Sequence, residues 1–223
     1  DLFLLTSLCT AVAVSGDEKE VRDIVLEAVR PHTDEISVDA LGNVLVTKRG
    51  TARSRPRVMV SAHMDEVGFM LMRDEGEGLF EFRVIGGIDE RQLVGKSVVV
   101  GPDHVPGIIG AKAIHMTTPE ERKVPLKVSD LRIDLGLDGS SKAKAGDRGT
   151  FGTKFTRIGP SLRSKALDDR LGVFNLIQLV RYAPENIDLL AAFTVQEELG
   201  LRGARVAAYN FAPVLAIALD STP

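Results

Sequence analysis

Four short stretches concentrate side chains that could bind a divalent ion or move a proton: HMDE at 63–66, LDDR at 167–170, QEE at 196–198 and LD at 219–220. Each follows an apolar run or opens a helical one. One histidine with several carboxylates suits hard or borderline ions such as Zn²⁺, Co²⁺ or Mn²⁺, and carboxylates can bridge two ions about 3.5 to 4 Å apart. Such a pair polarises a carbonyl and lowers the pKa of water toward about 7, so that water is the nucleophile. Every stretch also has a plainer reading. HMDE could be a polar strand exit, DDR an acidic first turn of a helix with Arg170 paired to it, QEELG a solvated turn, and Asp220 a loop carboxylate. Their joint occurrence at strand ends favours the chemistry.

The spacing adds detail. Asp65 stands two positions after His63, so in extended backbone the two share a face, and the Asp65 carboxylate can accept the second imidazole N–H. Glu197 and Glu198 are neighbours and point apart, which suits one metal ligand and one general base. Spacing alone leaves open which is which. His32, His104 and His115 fall outside these stretches and read as surface or structural, and Arg91 and Lys96 as part of an interface or a turn.

The elements that must position these residues are an α/β alternation around a β-rich interruption. Leu4, Leu5, Leu8 and Val12 recur at helical spacing, so the opening segment reads as an amphipathic helix; it has no positive n-region of a signal peptide. Ser15 and Glu18 form a capping-box pattern before a helix carrying Val21, Ile24, Val25, Ala28 and Val29 and stopping at Pro31. EISVDA and NVLVTK read as a hairpin, and RVMVSA at 57–62 as a central strand ending at His63. Residues 67–160 carry short alternating runs with Gly and Pro punctuation and read as an inserted small β-barrel, with helical periodicity only in SDLRIDLG. Beyond it the sequence predicts a helix over 169–182 on Leu171, Val173, Phe174, Ile177 and Val180, a strand over 189–195, a helix near 202–209 and a strand over 214–219. The catalytic α/β domain is thus expected at 1–66 and 161–223, with its sheet covered on both faces and its acidic residues gathered beyond the strand ends.

Composition limits the alternatives. The chain has 223 residues, 44% hydrophobic and 26% charged, with a net charge of −3 and no separated basic block, which argues against nucleic acid. No segment reaches the roughly 18 apolar residues of a membrane span. The single cysteine, Cys9, excludes an internal disulfide framework, reads as core and fits a reducing, cytoplasmic setting. No GxSxG, P-loop or GxGxxG pattern appears.

SGDEKEVRDIV, DALGNVLVTKRG, SAHMDEVGFM, GGIDERQLVGK, PGIIGAKAIHMTTPEER, KALDDRLGV, TVQEELGLRGA and AIALD together resemble the blocks of the tetrahedral aminopeptidases, the glutamyl and deblocking aminopeptidase group, in that family's order and over nearly the whole chain. The resemblance implies an aminopeptidase-like α/β/α sandwich with an inserted dimerisation barrel. It implies two divalent ions per subunit, with His63 a ligand of one, Asp168 bridging both, and Glu198 and Asp220 the remaining carboxylate ligands, one for each. It implies Glu197 as general acid/base, Asp65 as the partner orienting His63, and a cis Asp168–Asp169 peptide. It further implies short peptides as substrates, a dodecamer as assembly, and a second metal-binding histidine, with the C-terminal part of the catalytic domain, past Pro223. A member acting only in assembly or peptide binding is the alternative. A glycoside hydrolase fits less well, because adjacent carboxylates face apart and the chain has no Trp for sugar stacking.

Overall fold

The computed structural model describes residues 2–33 and 35–222. Helix α1 (Leu2–Thr10) buries Leu5, Leu8 and Cys9, and Cys9 is a free thiol in the core. Helix α2 (Lys19–Val29) buries Val21, Val25 and Val29, each fully removed from water. Such burial stabilises by roughly 1.5 to 3 kcal/mol per side chain. The capping box expected ahead of α2 does not form. Ser15 Oγ instead donates to Asp65 Oδ2 at 2.6 Å, and Glu18 Oε1 accepts from the amides of Gly16 and Gln196. A hydroxyl bonded to a carboxylate is about twice as strong a contact as one bonded to a neutral partner, so the buried acid takes the hydroxyl. A short 3₁₀ turn, Arg30–His32, then ends the helix at Pro31.

Strands β1 (Ile36–Val38) and β2 (Val44–Lys48) pair antiparallel, their turn organised by Asp39 Oδ1, which accepts from the amides of Leu41, Gly42 and Asn43. Strand β3 (Arg57–His63) follows and ends on His63.

The residues from Val67 to Thr153 form a separate compact unit. Here β4 (Gly68–Gly76), β5 (Leu79–Ile85), β6 (Ser97–Val100), β7 (Val105–Ala111), β8 (Leu131–Asp134) and β9 (Arg148–Phe151) close into a barrel in the order β4-β5-β8-β7-β6-β9, with one helical turn, α3 (Gly139–Lys142), before β9. Phe69 sits in its core, edge-on to Phe82 and Phe151 at 5.4 and 5.2 Å between ring centres. SDLRIDLG is not helical: a 3₁₀ turn at Val128–Asp130 leads into β8, where Leu131 and Ile133 point inward with strand period 2. The barrel unit also stops short of residue 160, because the next residues form their own hairpin.

That hairpin is β10 (Thr156–Ile158) with β11 (Ser161–Arg163). It is followed by α4 (Leu167–Arg181), β12 (Asp188–Thr194), α5 (Arg202–Phe211) and β13 (Leu215–Ala218). The sheet order is β1-β2-β12-β3-β13, with β12 and β13 both parallel to β3, and β2 antiparallel to β12. Alternation along the strands splits the core in two. Val46, Val60 and Ala191 face α1, α2 and α4, whereas Leu45, Met59 and Leu190 face Ala207 and Phe211 of α5. In α4 the buried stripe is Val173, Leu176, Ile177 and Val180; Leu171 is exposed, displaced by the helical phase that brings Leu176 inward. Strand β13 lies at the sheet edge with β3 as its neighbour, and its Leu215 and Ile217 are exposed. Among the described residues no helix is long and apolar enough to cross a membrane.

Candidate metal centre

Three parallel strands deliver the acidic stretches to one edge of the α/β unit. Thr194 pairs with His63 in register, so Gln196, Glu197 and Glu198 emerge just past β12 beside the end of β3. On the other side Ala218 pairs with Ser61, and the Leu219 amide still bonds the Ser61 carbonyl at 2.8 Å, which places Asp220 beyond that strand end. The fourth stretch arrives at the start of α4. Asp168 and Asp169 have non-helical backbone there and their peptide is cis. Both loops turn through left-handed residues, Ala166 at φ 52° and Gln196 at φ 55°. That conformation costs a side-chain-bearing residue about 1 to 2 kcal/mol, and such outliers gather at functional sites.

His63 is buried, and its Nε2 lies 3.0 Å from Asp168 Oδ1 and 3.9 Å from Glu197 Oε2. Its Nδ1 is 3.0 Å from the main-chain carbonyl of Asp65 and 3.6 Å from that residue's carboxylate. The ring is therefore oriented by the Asp65 carbonyl, in place of the carboxylate route expected from spacing. The carboxylate is otherwise engaged: it accepts from Ser15 Oγ, from the Glu197 amide at 3.0 Å and from the Glu198 amide at 3.2 Å. Fully buried, Asp65 thus fixes the backbone of the QEE turn.

Asp169 is also buried, accepting from the His63 amide at 3.1 Å and the Gly172 amide at 3.0 Å. A side chain at 172 would come within 2.2 Å of the Asp169 carboxylate, so this close approach requires glycine. Arg170, expected to pair with these acids, is fully buried and turned instead toward Glu66.

The electrostatics are those of crowded negative charge. Burial raises the Asp169 carboxyl to about 7, with Asp220 adding to the rise and His63 opposing it. Burial likewise raises Glu198 to about 7, helped by Glu197, Asp65 and Asp168. Glu197 is raised for the same reasons, burial first and then its acidic neighbours. For His63, burial alone would lower the pKa, but the surrounding carboxylates, Asp65 foremost, lift it to about 9. Among the described residues no Lys or Arg lies within ion-pairing distance of Asp168, Glu197, Glu198 or Asp220.

Donor atoms of His63, Asp168 and Asp220 all lie within 4.8 Å of one another. One imidazole and two carboxylates, otherwise unsatisfied by a cationic side chain, are a donor set that fits a divalent ion. Glu198 lies near this group without joining it. Ser15 was read from the sequence only as a helix cap, and Asp169 and Glu66, inside the LDDR and HMDE stretches, were given no role of their own in the site.

A profile described as M42 glutamyl aminopeptidase matches residues 42–223. A lysyl aminopeptidase of Pyrococcus furiosus is 30% identical, over 100% of this chain and 66% of the relative. A TET aminopeptidase structure from a marine sediment Thaumarchaeota archaeon superposes with a TM-score of 0.91 at 34% identity, covering 98% of this chain and 65% of that one. A Pyrococcus horikoshii TET1 peptidase, described as assembling into a tetrahedron or a large octahedral shell, gives 0.86 at 32% identity, over 98% and 68%. The chain therefore spans about two thirds of the length of these relatives.

Proposed function

Because the chain belongs to the M42 glutamyl aminopeptidase family, we propose that it takes part in metal-dependent removal of N-terminal residues from short peptides, with its centre at the strand ends around His63. The observation that carries this reading is the convergence of His63, Asp168 and Asp220 within 4.8 Å. These three would hold one ion. Asp168, shared, and Glu198 would contribute to a second, consistent with Glu198 standing beside the cluster. A bound divalent ion, Zn²⁺, Co²⁺ or Mn²⁺, supplies Lewis acidity toward the scissile carbonyl and acidifies water.

The chain's own residues supply the proton handling and the positioning. Glu197 is partly exposed, its Oε2 is 3.9 Å from His63 Nε2, and its raised pKa brings it nearer neutrality than an ordinary glutamate. A group so poised can take a proton from the attacking water at Oε2 and return it to the departing amine nitrogen. Asp65 serves that residue by holding the Glu197 amide, and serves His63 by holding Nδ1 through its carbonyl. The family's relatives that assemble into closed shells support a homo-oligomer for this chain as well. Hydrolysis of a panel of aminoacyl-p-nitroanilides, abolished by a chelator and restored by a divalent ion, is the expected result. A metal-loaded protein inert toward the whole panel would contradict the reading.

A further inference from the structure

Glu66 gathers the two segments that carry His63 and Asp168. Its Oε1 accepts from Lys165 Nζ at 2.8 Å and from Arg170 Nη2 at 3.1 Å, and its Oε2 from Lys165 Nζ at 3.1 Å. All three side chains are buried, at 4%, 6% and 0% exposure for Glu66, Lys165 and Arg170. One carboxylate faces two cations. The excess positive charge is met at the C-terminal end of α1, where Lys165 donates to the Ala11 carbonyl at 2.6 Å and Arg170 to the Leu8 carbonyl. Those are carbonyls that a helix leaves without internal partners and that carry its partial negative charge.

A buried ionic cluster is a poor way to gain stability, since apolar side chains of similar volume usually do as well or better. Its placement suggests another use. Lys165 and Arg170 flank the Asp168–Asp169 pair on either side, and Glu66 stands three residues after His63. The Asp168 side chain is 55% exposed, and its Oδ1 lies 3.0 Å from His63 Nε2. Where that carboxylate sits depends on how its flanks are anchored.

Resting on the metal centre proposed above, we infer that the Glu66–Lys165–Arg170 cluster is a positioning device that sets the separation of the His63 and Asp168 donors by tying both flanks of Asp168 to the strand exit bearing His63. Residues that orient ligands from behind typically change metal affinity by about 10- to 100-fold when altered.

The test is Zn²⁺ titration of the metal-free full chain, with thermal unfolding recorded alongside. Glu66→Gln and Lys165→Met should each weaken Zn²⁺ binding by roughly tenfold or more. Lys165→Arg, which keeps the positive charge facing Glu66, should weaken binding less than Lys165→Met. Val25→Ala, a cavity in the α2 face of the core, should lower the Tm while leaving the Zn²⁺ dissociation constant unchanged. If Glu66→Gln does not fold, the Lys165→Met and Lys165→Arg pair carries the comparison. Folded Glu66→Gln and Lys165→Met proteins that bind Zn²⁺ like wild type would overturn the inference while leaving the centre standing, as would a Val25→Ala protein weakened equally. A wild-type chain that binds no Zn²⁺ would remove both.

Discussion

In the barrel, Glu75 accepts from Arg132 at 2.6 Å and from Arg73 at 2.9 Å, and these guanidinium groups hold its carboxyl at about 2. Arg91 does the same for Asp89, also held at about 2. At the strand ends of the α/β unit three acids behave in the opposite way, with Asp169 and Glu198 lifted to about 7 and Glu197 raised beside them. The two units have similar chemistry to hand, and what differs is the counter-charge. Glu75 and Asp89 each have an arginine within reach, whereas the cations that flank Asp168 and Asp169, Lys165 and Arg170, are turned away into the Glu66 cluster. Those two barrel charges are satisfied within the barrel. The α/β edge keeps an excess of negative charge around one imidazole, which is the condition a divalent ion relieves.

The largest expected break in this contrast is Glu197→Gln. It leaves His63, Asp168 and Asp220 in place but removes the proton carrier, so kcat should fall by about 10² to 10⁴ while bound metal per chain stays unchanged. Metal analysis beside steady-state kinetics checks both halves.

Asp65→Ala should act mainly on stability. It strips the acceptor from the Ser15 hydroxyl and the Glu197 and Glu198 amides, and one unsatisfied buried donor costs about 1 to 3 kcal/mol, so a loss of about 3 kcal/mol is expected in denaturant unfolding. Asp220→Ala, at an exposed position on the same edge, should change stability by no more than about 0.5 kcal/mol. Equal losses in the two variants would erase the distinction between the buried scaffold and the exposed donors.

The smallest effect belongs to the barrel. Folded Glu75 titrates at about 2 against an ordinary value of 4.5, so between these values the unfolded chain binds more protons. Its contribution is therefore present above about pH 4.5 and is lost as pH falls toward 2. Glu75→Gln should be less stable than wild type at neutral pH, and the difference should close as pH falls from about 4.5 to 2, so its acid unfolding is shallower across that window.

Much of the fold was legible because its signals are local. His63 and Asp220 could be placed at strand ends since apolar runs stop just before them, and Val21, Val25 and Val29 mark a helix face by period alone. SDLRIDLG misled because four residues of strand, with Leu131 and Ile133 inward, satisfy a helical pattern nearly as well. The support of the site was illegible for a different reason. Ser15 to Asp65 spans 50 residues and Lys165 to Glu66 spans 99, and no local pattern reports such partners. Ser15 read as a helix cap and Arg170 as a partner of its neighbouring aspartates because nearby partners are the only ones a sequence displays.

The proposal that His63, Asp168 and Asp220 hold a divalent ion at the α/β edge makes a direct binding prediction. Calorimetric titration of the metal-free protein with Zn²⁺ at neutral pH tests it most directly, with Asp168→Ala and Glu75→Gln in parallel. Saturable binding is expected for wild type and for Glu75→Gln, with affinity lowered by more than about 100-fold in Asp168→Ala, since a direct donor outweighs the residues that merely orient it. Zn²⁺ binding to Asp168→Ala with wild-type affinity, or no binding to wild type, would contradict the proposal.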